Sequence, residues 1–352
     1  MPRPTIKEIA QAAGVSKSAV SYALNGLPGV SAETRSRILE VARRLSWKPS
    51  VAARALAGQR IGSIGLAINR PARLLGLEPF YMEFISGVQE VLAPLEQSLV
   101  LKVAASAEEE AATYRLWASS RKVDGVMLTD LTADDPRPSL VRSVGLPAVI
   151  VGPQGTASLP AISTRDEEAM RETVRYLAAL GHRSLARVAG TTGYLHTALR
   201  TRTMEEEAAS LGLPRPATLP TEFSQEQGIQ ATRTLLSQPD RPTAIIYDSD
   251  LMAAAGLGVA AEMGVDVPGD LSIVAWDNSM LSQLTRPPMT STSVQVRAYS
   301  IAVANTLLDL IAGKDVVSGF SGEPGITVRG STAPPRTRIV EPRVAQESIE
   351  LK

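Results

Sequence analysis

The rhythm of apolar and polar positions changes near residue 60. Before that point the chain reads only as short amphipathic helices. The segment "TIKEIAQAAG" sets Ile6, Ile9, Ala10 and Ala13 at helical spacing. It opens on Thr5, three positions before Glu8, the reciprocal N-terminal capping pair, and stops at Gly14. In "GVSKSAVSYALNG" Ser16 caps a second helix, with Val20, Ala23 and Leu24 inward and an end near Asn25 and Gly26. A third helix follows "PGVS", capped by Ser31, with Ile38, Leu39, Ala42 and Leu45 inward. Three such helices close a small core.

From Arg60 onward, apolar runs alternate with longer amphipathic stretches. The runs "IGSIGLAI" (61–68), "LVLKVAA" (99–105), "DGVMLT" (124–129), "PAVIVG" (147–152), "SLARVAG" (184–190), "TAIIYD" (243–248), "LSIVAW" (271–276) and "GITVRG" (325–330) predict strands. Between them, "YMEFISGVQEVLAPLE", "DEEAMRETVRYLAALGH" and "SDLMAAAGLGVAAEMG" predict helices. Strands alternating with helices argue for parallel sheets covered on both faces. Roughly eight to ten strands over this length suit two stacked α/β subdomains better than one. The last stretch, "APPRTRIVEPRVAQESIELK" (333–352), is Pro-rich and charged and reads as a disordered tail. No internal repeat stands out.

Composition adds exclusions. The chain has 352 residues, 44% hydrophobic and 20% charged, with no cysteine, which removes disulfides, zinc–thiolate sites and cysteine nucleophiles. Its start, "MPRPTIKEIA", has no signal-peptide core, and no apolar run is long enough to span a membrane, so a cytoplasmic protein is expected. The net charge of zero hides an asymmetry: residues 1–60 carry ten Lys and Arg against three Glu. A basic head on an acidic body fits a polyanion-binding module joined to one that must not bind polyanions.

The glycine stop, short turn and capped second helix form a helix-turn-helix, whose second helix enters a DNA major groove. Lys17, Ser18 and Tyr22 then point outward to read base edges. Thr5, Ser16, Ser21, Asn25, Ser31 and Thr34 are placed to donate to phosphates.

Residues 4–66, from "PTIKEIAQAAGVSKSAVSYALNG" through "VSAETR" to "QRIGSIGL", resemble the head of the lactose/galactose-repressor (LacI/GalR) family of bacterial transcription factors. The helix-turn-helix, "VS…ALNG", "VS.ETR" and the segment "KPSVAARALAGQR" fall in the family's order and spacing, and residues 61–332 follow its pattern more loosely. The resemblance implies a helix-turn-helix head (1–48), a hinge helix (49–60) that folds on DNA and pairs with its dimer mate, and a periplasmic-binding-protein-like body (61–332). Leu56 takes the place of the family's minor-groove wedge, with Arg54 and Lys48 as phosphate contacts. The body would divide into an N-subdomain (about 61–160 and 291–322) and a C-subdomain (about 161–290 and 323–332), with a small molecule between them. Arg200 matches the family's effector-binding arginine; Asp250 and Asp277 match positions near the cleft and also suit helix N-caps. Two carboxylates with an arginine opposite clamp vicinal hydroxyls by charge-assisted bonds. Phe80, Tyr81 and Trp276 offer apolar faces to a sugar ring or pack in the core, and Thr129 and Asp130 end a strand toward the cleft. His196 faces the cleft or the surface, and Arg165-Asp166 stands where the family has an Asp-Asn pair.

Catalysis has no support. "GLGVAAEMG" (256–264) lies within a helical pattern and fails the dinucleotide-binding context, and only His182 and His196 are available as imidazoles. His182, in "ALGHRSLA", sits at a helix end where a cation favours the dipole. The expectation is a DNA-binding regulator, a repressor, acting as a homodimer on a roughly palindromic operator of double-stranded DNA. Its effector would be a sugar or a nucleoside; no cofactor, metal or membrane is expected. A solute-binding protein, or an α/β enzyme with an accessory head, is the competing reading.

Overall fold

The computed structural model of the chain describes residues 4–45, 47, 60–292 and 294–336. The segment 49–59, with Arg54 and Leu56, lies outside the described residues, as does Lys48. The chain divides into two compact units at Ile61/Gly62.

The first unit contains helices α1 (Ile6–Ala13), α2 (Lys17–Leu24) and α3 (Ala32–Arg44). Each begins where a hydroxyl satisfies a free backbone N–H: Thr5 accepts from Glu8, Ser16 from Ala19 and Ser31 from Thr34. The Glu8 carboxylate returns the bond to the Thr5 amide at 2.6 Å, completing the capping box, and Gly14 ends α1 at φ 64°. Ile9, Val20 and Ile38 are fully buried at the centre of the three helices, each worth about 1.5–3 kcal/mol. Leu39 departs from expectation: it is exposed, and Val41 takes the inward place. The turn of α3 that carries Ile38 and Ala42 inward includes Val41 in its apolar stripe, and this excludes Leu39.

In the second unit, β1 (Ser63–Asn69), β2 (Ser98–Ala104), β3 (Gly125–Thr129), β4 (Ala148–Val151) and β5 (Ala161–Ser163) form one parallel sheet. A second sheet is built from β6 (Leu185–Ala189), β7 (Ala217–Pro220), β8 (Ala244–Tyr247), β9 (Ser272–Ala275) and β10 (Thr290–Thr292). The short strands β11 (Gly319–Phe320) and β12 (Ile326–Thr327) then join the first and second sheets respectively, β12 antiparallel. The strand orders, β11-β5-β4-β3-β1-β2 and β12-β10-β9-β8-β6-β7, correspond strand for strand and differ in direction only at the last strand, a repeat that no residue pattern betrays. The chain passes between sheets three times, after Ser163, Thr292 and Phe320.

Alternation along each strand supplies two covered faces. Ile64, Leu66 and Ile68 pack with helices Pro79–Leu92 and Val296–Ile311, whereas Ala67 packs with Tyr114 and Trp117. Two glycines permit the closest approaches. A Cβ on Gly65 would overlap the Trp117 ring, and one on Gly87 would meet Ser300 and the Arg297 carbonyl of the facing helix. In the second sheet Val188, Ile245 and Ile273 face helices Gln225–Leu236 and Asp250–Glu262. Leu185, Ile246 and Val274 face helices Asp166–Ala179 and Leu195–Ser210.

Three expectations move. Ala161–Ser163 pairs in the first sheet and Thr290–Thr292 in the second, so the subdomain changes fall two or three residues after the expected ones. The stretch after Thr332 docks as far as Arg336: the Ala333 amide donates to Ser272, and Arg336 pairs with Asp266 and Asp270. His182 is fully buried and bonded to Thr243, Ser272 and the Ala333 carbonyl. Burial lowers its pKa against the pull of that carbonyl, so it serves as a neutral tie for the docked segment and not as a cation on a helix dipole.

Candidate functional site

In the head, residues four apart on α2 stack along one face. Lys17, Ser18 and Tyr22 are exposed there, Tyr22 at 45%, while Val20 and Ala23 hold the opposite side in the core. Ser21 is half-buried and accepts from Asn25 Nδ2 at 3.3 Å. Among the expected phosphate donors, Thr5 and Ser31 direct their hydroxyls to Glu8 and Thr34, whereas the Ser16 Oγ acts as a cap acceptor. Arg35 donates to the Ala23 and Leu27 carbonyls and so pins the end of α2. Sequence reasoning counted it only as charge.

In the second unit, residues directly following several strands converge on one cleft, as the carboxyl ends of parallel strands do. Arg70, Thr129, Asp130, Gly152, Thr164, Asp248, Trp276 and Val294 line it, together with Glu78, Phe80 and Tyr81 from the first subdomain. Asp166, His196, Arg200, Phe223, Asp277 and Tyr299 complete the wall. The enclosed space amounts to about 70 Å³, or about 650 Å³ with the open solvent at its mouth included; the enclosed part is smaller than the roughly 300–1,000 Å³ of small-molecule sites.

Ion pairs stiffen both walls. Arg70 donates from Nε and Nη2 to Asp130 at 3.1 and 2.9 Å, and the Tyr81 hydroxyl donates to the same oxygen at 2.8 Å. Burial opposes ionisation of Asp130, but Arg70 and the Tyr81 bond prevail and hold its pKa below the usual carboxylate range. Across the cleft Arg200 Nε donates to Asp166 at 2.7 Å, with Asp248 at 4.0 Å from its Nη1. Behind them Arg187 grips both oxygens of Asp248 at 2.7 and 2.5 Å, and the Gly190 amide adds a third bond. Both cleft guanidiniums lie on aromatic rings, Arg200 4.1 Å from the centroid of Trp276 and Arg70 4.4 Å from that of Phe223. The Trp276 face expected for a sugar ring therefore already carries a cation.

Two carboxyls have no such partner. Glu78, 5% exposed, has a buried Oε2 without a hydrogen bond among the described residues, 3.7 Å from Arg70 Nη1. Burial raises its pKa to about 7 against the pull of Arg70. Asp277 is pushed well above the carboxylate range by burial and by Asp250, with Arg200 opposing. The half-buried His196 is driven down to about 4 by burial and Arg200, so it stands neutral in the cleft.

All the expected effector residues line this cleft except Asp250. Asp250 is fully buried and accepts from the Asp277 amide at 3.0 Å and from the Ser279 amide and hydroxyl at 2.7 Å each. It braces the loop that presents Asp277. The N-caps proposed for these two acids belong instead to Ser249 and Ser279. The carboxylate that reaches the cleft after β8 is Asp248, the first residue beyond the strand, and that position was the available signal. Arg70, one residue after β1, offered the same signal; Glu78, Phe223 and Tyr299 carried none.

Fold and site together define a class: transcription regulators made of a helix-turn-helix head and a periplasmic-binding-like body. Residues 5–50 match the model for bacterial regulatory proteins of the lacI family, and residues 174–332 match the periplasmic binding protein-like domain. The HTH-type transcriptional regulator CelR of Thermobifida fusca is 30% identical over 319 residues, 89% of this chain and 93% of that protein. A solved CelR–cellobiose complex superposes with TM-score 0.70 at 27% identity, covering 94% of this chain and all of that one. The lac repressor dimer bound to operator and the anti-inducer ONPF shares the fold, with TM-score 0.80 at 24% identity over 94% of this chain and all of that one. The chain belongs to the lacI family of bacterial regulatory proteins and is a DNA-binding transcriptional regulator. Among the described residues no helix is long and apolar enough to cross a membrane.

Proposed function

We propose that this regulator is a repressor that binds a roughly palindromic operator as a homodimer and answers to a sugar held in the cleft. The observation that carries the ligand class is the pairing pattern: Arg70 and Arg200 each already hold a carboxylate, while Glu78 and Asp277 stand open. Such a cleft lacks an uncommitted cation for a phosphate or carboxylate and favours a ligand rich in hydroxyl donors. The relative solved with cellobiose supports a sugar, and the relative solved as a dimer on operator supports the assembly.

On DNA, Lys17, Ser18 and Tyr22 read base edges, and the Ser16 hydroxyl, Lys48 and Arg54 contact phosphates. One α2 covers a half-site, so two copies account for a palindrome. Leu56 acts as a minor-groove wedge, and Leu56→Ala weakens specific binding more than nonspecific binding. A ligand gripping both subdomains shifts their angle at the three chain crossings and biases the operator-competent state. Inverting occupancy from 99:1 to 1:99 takes about 5.5 kcal/mol of differential affinity.

Thermal-shift measurements with free sugars, nucleosides and sugar phosphates test the reading. A sugar at about 100 times its dissociation constant stabilises by about 2.7 kcal/mol. Stabilisation by a nucleoside or a sugar phosphate, and by no free sugar, overturns it.

A further inference from the structure

The cleft contains an electrostatic imbalance that a neutral sugar does not resolve. Three guanidiniums, Arg70, Arg187 and Arg200, are matched to three carboxylates, Asp130, Asp248 and Asp166, at 2.5–2.9 Å. Glu78 and Asp277 are left over, one from each subdomain, both lining the same space and close enough that Glu78 adds to the forces opposing ionisation of Asp277. Arg70 does not supply Glu78 with a full partner: its Nε and Nη2 are given to Asp130, and Nη1 stays 3.7 Å from Glu78 Oε2. Arg200 is likewise bonded to Asp166 and stacked on Trp276. His196 carries no charge near neutral pH.

We infer that the ligand is an amine-bearing sugar whose protonated nitrogen sits between Glu78 of one subdomain and Asp277 of the other. This rests on the sugar reading above and sharpens it. An ammonium brings three donors and one positive charge, enough to bond carboxylates from both walls and offset their repulsion; a hydroxyl brings one donor and no charge. Burial makes the difference large, because a buried carboxylate without a cation stays protonated and then accepts poorly. The same contact ties the two subdomains together, since Glu78 lies just before helix Pro79–Leu92 and Asp277 just after β9. Glu78 is thus a specificity-determining residue, and Asp250, bonded to the Asp277 amide, is a positioning residue for its partner.

The test is calorimetric titration of the full chain at pH 7.5 with matched pairs: glucose and glucosamine, galactose and galactosamine, mannose and mannosamine, and each N-acetyl derivative. The amine is expected to bind about 10- to 100-fold more tightly than the hydroxyl or N-acetyl sugar of the same configuration. In Glu78→Gln that preference should collapse to within about threefold, with a cooperative urea transition showing that the variant is folded. A hydroxyl or N-acetyl sugar binding as tightly as its amine overturns the inference and leaves the sugar reading standing. If no sugar in the panel binds, both are overturned.

Discussion

Two buried groups in the cleft titrate in opposite senses, and their opposition makes a measurable prediction. Glu78 keeps its proton in the folded cleft up to about 7, but in the unfolded chain releases it near 4.5. The folded state therefore binds more protons across that window, and stability falls as pH rises through it. The displacement corresponds to about 3 kcal/mol. His196 does the reverse: unfolded it takes up a proton near 6.5, whereas folded it does so only near 4, so stability rises with pH between those values. Its contribution is up to about 3 kcal/mol, reduced because the ring is only half-buried. Between pH 4.5 and 6.5 the two largely cancel in the parent protein. Urea midpoints read by tryptophan fluorescence at pH 4.5, 5.5, 6.5 and 7.5 expose each one. Subtracting the parent profile removes carboxylates common to both. The Glu78→Gln difference should climb with pH by about 3 kcal/mol, and the His196→Gln difference should descend by somewhat less. Variant profiles that run parallel to the parent's would refute the assigned burial and charge environment.

Three further outcomes are expected. Substituting Tyr22 or Lys17, exposed on the outer face of α2, should change the preferred operator sequence in a randomised-site selection; a uniform loss of affinity across sites would reassign the residue to phosphate contact. Asp250→Ala frees the Asp277 and Ser279 amides and the Ser279 hydroxyl, so the unfolding free energy from urea titration should fall by about 3 kcal/mol and effector affinity with it; unchanged effector affinity would remove Asp250 from its bracing role. Gly65→Ala overlaps the Trp117 ring and should cost about 1–3 kcal/mol, recovered in part by Trp117→Leu; no loss in the single variant would contradict the packing.

The helical head was legible in detail because its signals are local. A hydroxyl caps the next few amides, and Thr5, Ser16 and Ser31 all do so where the sequence places them. Leu39 shows the limit, since Val41 competes for the same apolar stripe and the other two helices decide between them. Strands that coincide with apolar runs, such as β1, β3, β4, β8 and β9, were legible for a similar reason. The missed ones, β5, β7, β10 and β11, are two to four residues long and owe their existence to a neighbour to pair with. In the cleft, strand-end position pointed to Thr129 and Asp130, residue type to Trp276, and the family resemblance to Arg200 and Asp277.

What the sequence by itself determined is the alternation of strand and helix, the capped helices of the head, its charge, and the chemical types gathered at strand ends. These follow from periodicity and from bonds spanning three or four residues. Only the tertiary structure decided which charges meet. Arg70 reaches Asp130 across sixty residues, Arg187 reaches Asp248 across sixty-one, and Asp250, two residues further on, turns away to brace a loop. Glu78 and Asp277, far apart in the chain, line one cleft without a hydrogen bond from a guanidinium, because Arg70 and Arg200 give theirs to Asp130 and Asp166. Electrostatic partnership depends on distance in space and on the dielectric around the pair, and neither is written in residue order.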